Sequence, residues 1–399
     1  MAKTLPIEVR AKPGQRLGMA PAKFLQDYWQ KHPLLIRGAF VDFHSPLSPE
    51  DLAGLACEEM ALSRLIRRDA KRDRWSVRSG PFEDKDFTTL PHKDWTVLVQ
   101  DVDKWDADLA PLLDAFDFLP RWRVDDIMIS YATDGGGVGA HVDQYDVFLL
   151  QGQGHRRWKI NDDPQAPKEF RDDVELKLLK HFTPSHDWLL EPSDMLYLPP
   201  GVPHDGVAEG NCMTFSIGMR APSAAELMMD MVEHLAEPLG EEIRYGDADL
   251  KPADDAGEID AAAMQRLERA LAPLRDMSPA ALQQWFGSYI TRYRAAQTAS
   301  PPARVLSDTQ LLQTLEAGSR LWRHPWSRFA WMRQSRGAML FAAGKAYRCT
   351  LRLAQLLCAQ RSVDNTMLGA LSASECEVLL NLVNDGHLVV QQVRKGKKA

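Results

Sequence analysis

Short apolar segments separated by glycine- and proline-rich turns fill the middle of the chain, between residues 122 and 220. Segments of this length and spacing predict β-strands arranged as a sandwich or a barrel. The predicted strands span residues 123–132, 145–151, 156–160, 194–198 and 213–219. Between the second and the third of them, Gly152-Gln-Gly154 predicts a tight hairpin.

Helical patterns occur on both sides of this region. Ser48 is placed to cap a helix near the N-terminus, and residues 106–116 predict another. Ser223 and Glu226 have the spacing of a capping box, and a further helix is predicted from Ser278. A β-rich centre flanked by helices predicts an α+β fold.

The C-terminal part of the chain is small and mixed. Residues 295–304 contain Ser-Pro-Pro and predict a linker. Beyond it, Ser307 and Ser372 are placed to cap helices, residues 329–347 predict strands around an Ala-Gly-Lys turn, and residues 388–390 predict a last strand. This pattern resembles a winged-helix module.

Composition narrows the class of protein. Apolar residues at 45% and charged residues at 26% are typical of a soluble globular chain. We find no apolar run of membrane-helix length and no signal-peptide core, and five scattered cysteines without a Cys-x-x-Cys pair predict reduced thiols in the cytoplasm. The net charge of −7 argues against a surface generally adapted to nucleic acid, although residues 394–398 form a basic tail.

A His-x-Asp pair follows the glycine-rich turn in the β region and heads a predicted strand. Residues i and i+2 of a strand share a face, so His141 and Asp143 can present ligands to one cation. His204 follows an apolar strand and a Pro-Pro-Gly turn, and it is the best candidate for a third ligand. Two histidines and one carboxylate with open positions are typical of non-haem Fe(II) oxygenases. His92 and Asp94 have the same spacing without the flanking turns, and we interpret them as a surface turn.

Two other interpretations of this stretch have to be weighed. Gly135, Gly137 and Ala140 match a loose dinucleotide-binding fingerprint, but that fingerprint needs a helix N-terminus directly after the glycines. Residues 141–151 predict a strand instead, and their aspartates would repel a pyrophosphate. A buried polar pair in a sheet remains open for the His-x-Asp pair taken alone.

An Fe(II) oxygenase also needs a cosubstrate that supplies electrons. If it is 2-oxoglutarate, the distal carboxylate needs a fixed cation, and Arg156 directly after the predicted hairpin is the natural choice. Arg157 would then point to the opposite face. Ser130 can donate a second hydrogen bond to the same carboxylate.

A possible substrate face extends from these positions. Asp126 and Met128 share a strand face with Ser130, Tyr145 lies two residues beyond the candidate ligand Asp143, and Ser216 lies on the strand after His204. An acidic group beside a tyrosine suits a basic side chain as substrate. Ordinary strand residues without such a role are an equally open interpretation.

The segments that carry this chemistry closely resemble the bacterial JmjC ribosomal oxygenases. The resemblance covers most of the chain, and the last part matches only in general character. The similar segments are 125–130, 135–148, 197–204 and 215–222, with further similarity at 28–37, 52–56, 79–83 and 284–287.

This resemblance implies hydroxylation of an arginine at its β-carbon (the 3-position) in large-subunit ribosomal protein uL16, with Fe(II), 2-oxoglutarate and O2. It implies an α+β fold with N-terminal elements and a JmjC double-stranded β-helix (jelly-roll, cupin) core at 1–222, a helical dimerisation region at 223–300 and a winged-helix-like domain at 305–399. A cytoplasmic homodimer is expected, without stable nucleic-acid binding. The implied iron ligands are His141, Asp143 and His204, and the implied 2-oxoglutarate contacts are Arg156 and Ser130.

Three alternatives remain open at this point. A JmjC-type protein demethylase would use the same iron chemistry on an N-methyl group. A non-enzymatic cupin would bind zinc or nickel and consume no 2-oxoglutarate. A nucleic-acid-binding regulator would depend on the C-terminal module and would show salt-dependent binding.

Overall fold

The computed structural model describes residues 5–240, 244–252, 255 and 257–391, and the basic tail at 394–398 lies outside them. The chain divides into two compact units, with the boundary between Ala221 and Pro222. Across the described residues, none of the helices combines the length and the hydropathy needed to cross a bilayer.

One large sheet runs through the first unit. Its order is β1-β2-β9-β7-β10-β6-β5-β3-β4, with β8 paired to β7, and every pairing except β1 with β2 is antiparallel. The strands are β1 (Glu8–Arg10), β2 (Leu34–Arg37), β3 (Ser63–Asp69), β4 (Arg74–Ser79), β5 (Trp95–Val99), β6 (Val124–Ala132), β7 (Val147–Ile160), β8 (His186–Leu190), β9 (Met195–Leu198) and β10 (His204–Met219).

The long strands β7 and β10 pair with each other along two stretches and bend together between them. Residues 155–160 pair with 204–209, residues 147–151 pair with 214–218, and the register shifts in between. At the bend, Gly154 has a φ of 64°, and a Cβ there would clash with the carbonyl of Asn211. The predicted hairpin at 152–154 is therefore wrong: the glycines let two continuous strands bend against each other, as a double-stranded β-helix requires.

Strand alternation gives this sheet two apolar faces. Phe148, Leu150 and Phe215 point into the larger cluster, which packs against the N-terminal helices. Val147 and Leu149 point into a second cluster that also contains residues of β8 and β9. The other elements of the unit are α1 (Pro21–Asp27), α2 (Pro49–Cys57), α3 (Asp84–Thr88), α4 (Val102–Trp105) and 3-10 helices at Ala110–Phe116 and Arg121–Arg123.

Local signals near the N-terminus are mostly confirmed. The Ser48 side chain caps α2 in a capping box with Asp51. The helix predicted at 106–116 is instead the short α4 followed by the 3-10 helix Ala110–Phe116. Pro111 lies at the first turn of that 3-10 helix, where a missing backbone N–H costs nothing.

The second unit combines helices with two small sheets, β15-β11-β16 and β12-β13-β14. The predicted caps at Ser223, Ser307 and Ser372 are confirmed, as is the last strand. The elements are α5 (Ala224–Ala236), a 3-10 helix (Glu237–Leu239), α6 (Ala261–Ala270), α7 (Ala272–Arg275), α8 (Pro279–Arg292), α9 (Asp308–Glu316), β11 (Arg320–Arg323), β12 (Phe329–Arg333), β13 (Ala338–Ala342), β14 (Lys345–Cys349), α10 (Leu351–Ala359), β15 (Ser362–Val363), α11 (Asn365–Leu368), α12 (Ala373–Asn384) and β16 (Leu388–Gln391).

Helix α8 packs against the β12-β13-β14 sheet. A Cβ at Gly287 would clash with the ring of Phe341, which shows how closely the helix approaches the sheet. At the same helix, the indole N–H of Trp285 donates to Asp230 of α5 at 2.9 Å. The helical region and the winged helix thus share one compact unit, and the division at 300–305 stays a prediction.

Candidate metal centre

A short backbone bridge brings two of the predicted ligands together. The N–H of His141 donates to the carbonyl of His204, and the N–H of His204 donates to the carbonyl of His141, each at 3.0 Å. The ring centroids lie 4.2 Å apart. His141 occupies this isolated bridge, ahead of the start of β7 at Val147, so the expectation that it heads that strand is wrong.

The carboxylate of Asp143 completes a cluster with the two rings. Its oxygens lie 3.9 Å from Nε2 of His141 and 3.7 Å from Nε2 of His204. The three ligand atoms all lie within 4.8 Å of one another, and within the described part of the chain no other such trio of possible ligands occurs. The N–H of Gly201 donates to the Asp143 carbonyl at 2.7 Å, which fixes this loop against the Pro-Pro-Gly turn.

Second hydrogen bonds set the tautomer of both rings. Nδ1 of His141 lies 2.8 Å from the carbonyl of Gly139, and Nδ1 of His204 lies 2.9 Å from the carbonyl of Val202. A carbonyl only accepts, so each Nδ1 carries the proton and each Nε2 keeps its lone pair for a metal. Burial, followed by the neighbouring His141, lowers the pKa of His204 to about 4, so this ring is neutral at pH 7.

The glycine run lets the backbone pass close to neighbouring elements. A Cβ at Gly137 would lie 2.5 Å from the carbonyl of Gly206 in β10, and at Gly139, where φ is 80°, it would press on Leu178 and Trp75. Gly137 therefore permits the close approach to β10, and Gly139 leaves room for the side chains of Leu178 and Trp75. The other His-x-Asp pair lies in a bend, as predicted, with His92 exposed and Asp94 half-buried.

Arg156 is a buried cation close to Ser130. It is 4% exposed, and its Nη1 donates to the Ser130 hydroxyl at 3.2 Å. Its Nε and Nη2 are buried and make no hydrogen bond with the residues described. Buried guanidinium nitrogens without a partner are costly, so Nε and Nη2 fit a carboxylate ligand. Arg157 points outward and pairs with Asp187 at 2.9 Å, as predicted.

The face predicted for substrate lies along β6 and β10. Met128 is directly opposite Ser216 in the sheet. Asp126 and Tyr145 meet above Gly218, where an added Cβ would lie 3.4 Å from Oδ1 of Asp126 and 4.0 Å from Cε2 of Tyr145. Burial is the main cause that raises the pKa of Asp126 to about 7, and burial also raises the pKa of Tyr145. The structure brings these four residues onto one face.

Sequence reasoning missed Asp146, which anchors the loop that carries Asp143. Its carboxylate is fully buried and accepts from the hydroxyl of Tyr197 at 2.7 Å and from Nε2 of Gln30 at 3.0 Å. Arg123 lies 3.4 Å away. The available signal was an aspartate directly before a buried apolar strand, a position that requires partners for the charge.

Comparison with known proteins finds two family models on the chain. A JmjC domain model matches residues 111–227, and a ROXA-like winged-helix model matches residues 270–389. The first match contains the three candidate ligands, and the second contains α8 together with both small sheets except for the last two residues of β16. The expected cupin-type core and winged-helix domain are thus confirmed.

Similar proteins cover most of the chain. The ribosomal protein uL16 3-hydroxylase of Escherichia coli is 38% identical over 302 residues, which are 75% of this chain and 79% of that protein. A probable ribosomal oxygenase of Haemophilus influenzae is 42% identical over 211 residues, 53% of this chain and 52% of that protein. The solved structure of the E. coli ribosomal oxygenase YcfD with cobalt and 2-oxoglutarate has a TM-score of 0.79 at 32% identity and covers 94% of this chain and 99% of that one.

Removing one imidazole from the cluster tests it as a metal site. We expect His141→Ala to weaken Fe(II) or Co(II) binding by more than about 100-fold, because substitutions of mere second-shell partners already cost 10- to 100-fold. The matched control is His92→Ala, which removes the histidine of the other His-x-Asp pair and should bind metal like the wild type. Anaerobic calorimetric titration measures both. Equal affinity of the two variants would rule out His141 as a ligand.

Proposed function

Because the chain belongs to the JmjC ribosomal oxygenases, we propose that it hydroxylates an arginine side chain of large-subunit ribosomal protein uL16 at the 3-position. Fe(II) is its metal, and 2-oxoglutarate and O2 are its cosubstrates. The observation that carries the proposal is Arg156, a buried cation whose Nε and Nη2 have no hydrogen-bond partner among the described residues, on the strand that pairs with the one beginning at His204. The substrate class also implies that the protein works in the cytoplasm.

Strand geometry supports a common site for the metal and the cosubstrate. Arg156 is directly opposite Ala208, and Ala208 is four residues along β10 from His204. Cross-strand partners share a face, as do residues two and four apart, so Arg156 and His204 face the same cavity. When bound, Fe(II) with 2-oxoglutarate and O2 inserts one oxygen atom into a substrate C–H bond, and the other oxygen leaves in succinate after loss of carbon dioxide.

We propose that Arg156 and Ser130 hold the distal carboxylate of 2-oxoglutarate. The guanidinium has Nε and Nη2 on one edge, and that edge matches two carboxylate oxygens. The Ser130 hydroxyl holds the other end of the guanidinium and can donate to the same carboxylate. Burial keeps water from competing for these hydrogen bonds, and the cosubstrate is thereby oriented before the protein substrate binds.

The target arginine is assigned to the face formed by Asp126, Met128, Tyr145 and Ser216. The carboxylate of Asp126 would accept from the guanidinium, and the Tyr145 ring and Met128 would pack on the methylene groups. Tyr145 lies two residues from the proposed ligand Asp143, so a side chain packed on its ring would lie beside the segment that carries this ligand. The residue proposed to recognise the arginine and the residue proposed to hold the iron thus belong to the same short segment.

The direct test is the mass of the product. We expect the iron-loaded chain with 2-oxoglutarate and O2 to add the mass of one oxygen atom to a uL16 fragment, and fragmentation should place it on arginine. A protein demethylase would instead remove a methylene from a methylated peptide, and a non-oxidative cupin would leave 2-oxoglutarate unconsumed. Either of those results, without oxygen addition, would overturn the proposal.

Two neighbouring arginines on β7 provide a test variant and a matched control for the cosubstrate site. Arg156→Ala should raise the 2-oxoglutarate concentration needed for half-maximal turnover by roughly 30-fold or more, because breaking a buried charged pair costs about 2–5 kcal/mol. Arg157→Ala removes the same side chain from the exposed face and should leave this requirement unchanged. A similar requirement in both variants would exclude Arg156 from cosubstrate binding.

We further propose that the chain forms a homodimer through α5 and α6. These helices expose several large apolar side chains, which is unusual for a monomer surface. The exposed residues are Met228, Met229 and Val232 on α5, and Met264 and Leu267 on α6.

Charge placed on this surface tests the dimer. We expect the double variant Met229→Glu with Val232→Glu to elute at the mass of one chain in light-scattering chromatography, because two buried carboxylates oppose association, whereas the wild type elutes at twice that mass. Val41→Glu, at an exposed apolar residue of the first unit, is the control and should stay dimeric. A dimeric double variant would contradict this interface.

A further inference from the structure

Behind the face assigned to the target arginine lies a buried group of charges centred on Lys104. Its ammonium contacts Oδ1 of Asp101 at 2.9 Å and both oxygens of Asp103 at 3.0 and 3.1 Å. A fourth contact, at 3.1 Å, is to the backbone carbonyl of Asp125. The Lys104 side chain is only 6% exposed, so these interactions are shielded from water.

This group is joined to Asp126 through the backbone. The N–H of Asp101 donates to Oδ2 of Asp126 at 2.9 Å, and Asp101 has a left-handed φ of 57° that aims this N–H at the carboxylate. The N–H of Ile127 donates to Oδ1 of Asp103 at 2.8 Å. Lys104 therefore ties the turn before α4 to the segment of β6 that carries Asp126.

The charges facing Asp126 are mostly negative. Asp101 directly precedes α4 and Asp103 lies within it, Asp125 comes from β6 and is paired with Arg220 just after β10, and Lys104 of α4 is the cation. Tyr145 faces it from the loop before β7, and Arg64 of β3 lies beyond that ring. Burial and the three acids raise the pKa of Asp126, while Lys104 lowers it, to a net value of about 7.

We propose that Lys104 is a positioning residue for substrate recognition, which favours the ionised form of the Asp126 carboxylate and holds it aimed at the guanidinium of the target arginine. This inference rests on the function proposed above and goes beyond it. Lys104 does not touch the substrate; it acts by neutralising the acids around Asp126 and by holding the Asp101 N–H in place. The metal cluster takes no part in this effect.

Recognition of arginine then depends on pH. An acid whose pKa is raised to about 7 is mostly protonated at pH 6 and mostly ionised at pH 8. Only the ionised form pairs with a guanidinium, so affinity should rise by about tenfold between these two values, following the ionised fraction. Binding of a neutral side chain at the same place should not change over this range.

The experiment measures peptide binding without turnover. A fluorescent uL16 peptide is titrated by anisotropy with the full chain loaded with Fe(II) and 2-oxoglutarate under nitrogen, from pH 5.8 to 8.5. The control peptide carries citrulline, which is neutral and has nearly the shape of arginine, at the target position. We expect a pH-dependent Kd with an inflection near 7 for the arginine peptide only, and Asp126→Asn should bind weakly at every pH.

Two variants that should shift the inflection of Kd against pH in opposite directions separate the role of Lys104 from a general loss of folding. Lys104→Met should move the inflection upward by about one pH unit, because the loss of a close opposite charge shifts a pKa by at least that much. Lys104→Arg keeps the cation and should keep the wild-type profile. Asp103→Asn keeps an acceptor for the Ile127 N–H but removes an anion, so it should move the inflection to lower pH. This variant still tests the inference if Lys104→Met fails to fold.

The outcomes distinguish this inference from the proposed function. An unchanged profile in Lys104→Met and Asp103→Asn, with Asp126→Asn weak and flat, would overturn the role of Lys104 alone. Wild-type binding by Asp126→Asn would overturn both the substrate face and the inference. Addition of oxygen to the peptide, measured separately by mass, is independent of either result.

Discussion

The reciprocal backbone bridge between His141 and His204 is the constraint on which the rest of the site depends. Two hydrogen bonds of 3.0 Å fix the segment after the glycine run against the first residue of β10. The approach is possible because Gly137 passes close to Gly206, where a side chain would block it. The bridge also restricts the position of Asp143. The Gly201 N–H holds the Asp143 carbonyl, and the hydrogen bond from Tyr197 to Asp146 anchors the end of the loop. Ligands distant in sequence thus become neighbours through main-chain geometry.

The bend shared by β7 and β10 extends this constraint to the other parts of the site. One half of the strand pair carries His204 and Arg156, and the other half lies beside β6, where Ser130 is opposite Thr214. Alternation places the polar groups of the site on the face that also carries Val147 and Leu149, and it places residues such as Phe215 in the main core. The residues proposed to hold metal, cosubstrate and substrate therefore share one pair of bent strands and its neighbour β6, and the apolar packing on the far side stabilises this support. At the end of this face proposed for the substrate, Lys104 contacts the residues that position Asp126.

Much of the site could be predicted from sequence because its residues carry local signals. Turn glycines and a Pro-Pro-Gly stop mark the candidate ligands. Arg156 was predicted for a wrong reason, since a glycine such as Gly154, with its positive φ, serves a hairpin and a strand bend equally well, and only the partner strand decides between them. Lys104 gave no signal, because Asp101 and Asp103 beside it predict only an ordinary local ion pair, and its contact with the Asp125 carbonyl forms only when the start of α4 packs on β6. Short β8 escaped prediction because its pairing with β7, and not its own pattern, makes it a strand.

The central claim is that one iron ion binds between His141, Asp143 and His204. Crystals grown anaerobically with Fe(II) and 2-oxoglutarate, measured at the iron absorption edge, test it most directly. The account predicts one anomalous peak per chain at bonding distance, about 2.0–2.2 Å for nitrogen and oxygen ligands, from both Nε2 atoms and one carboxylate oxygen. A peak elsewhere, or a peak that His204 does not reach, would contradict it.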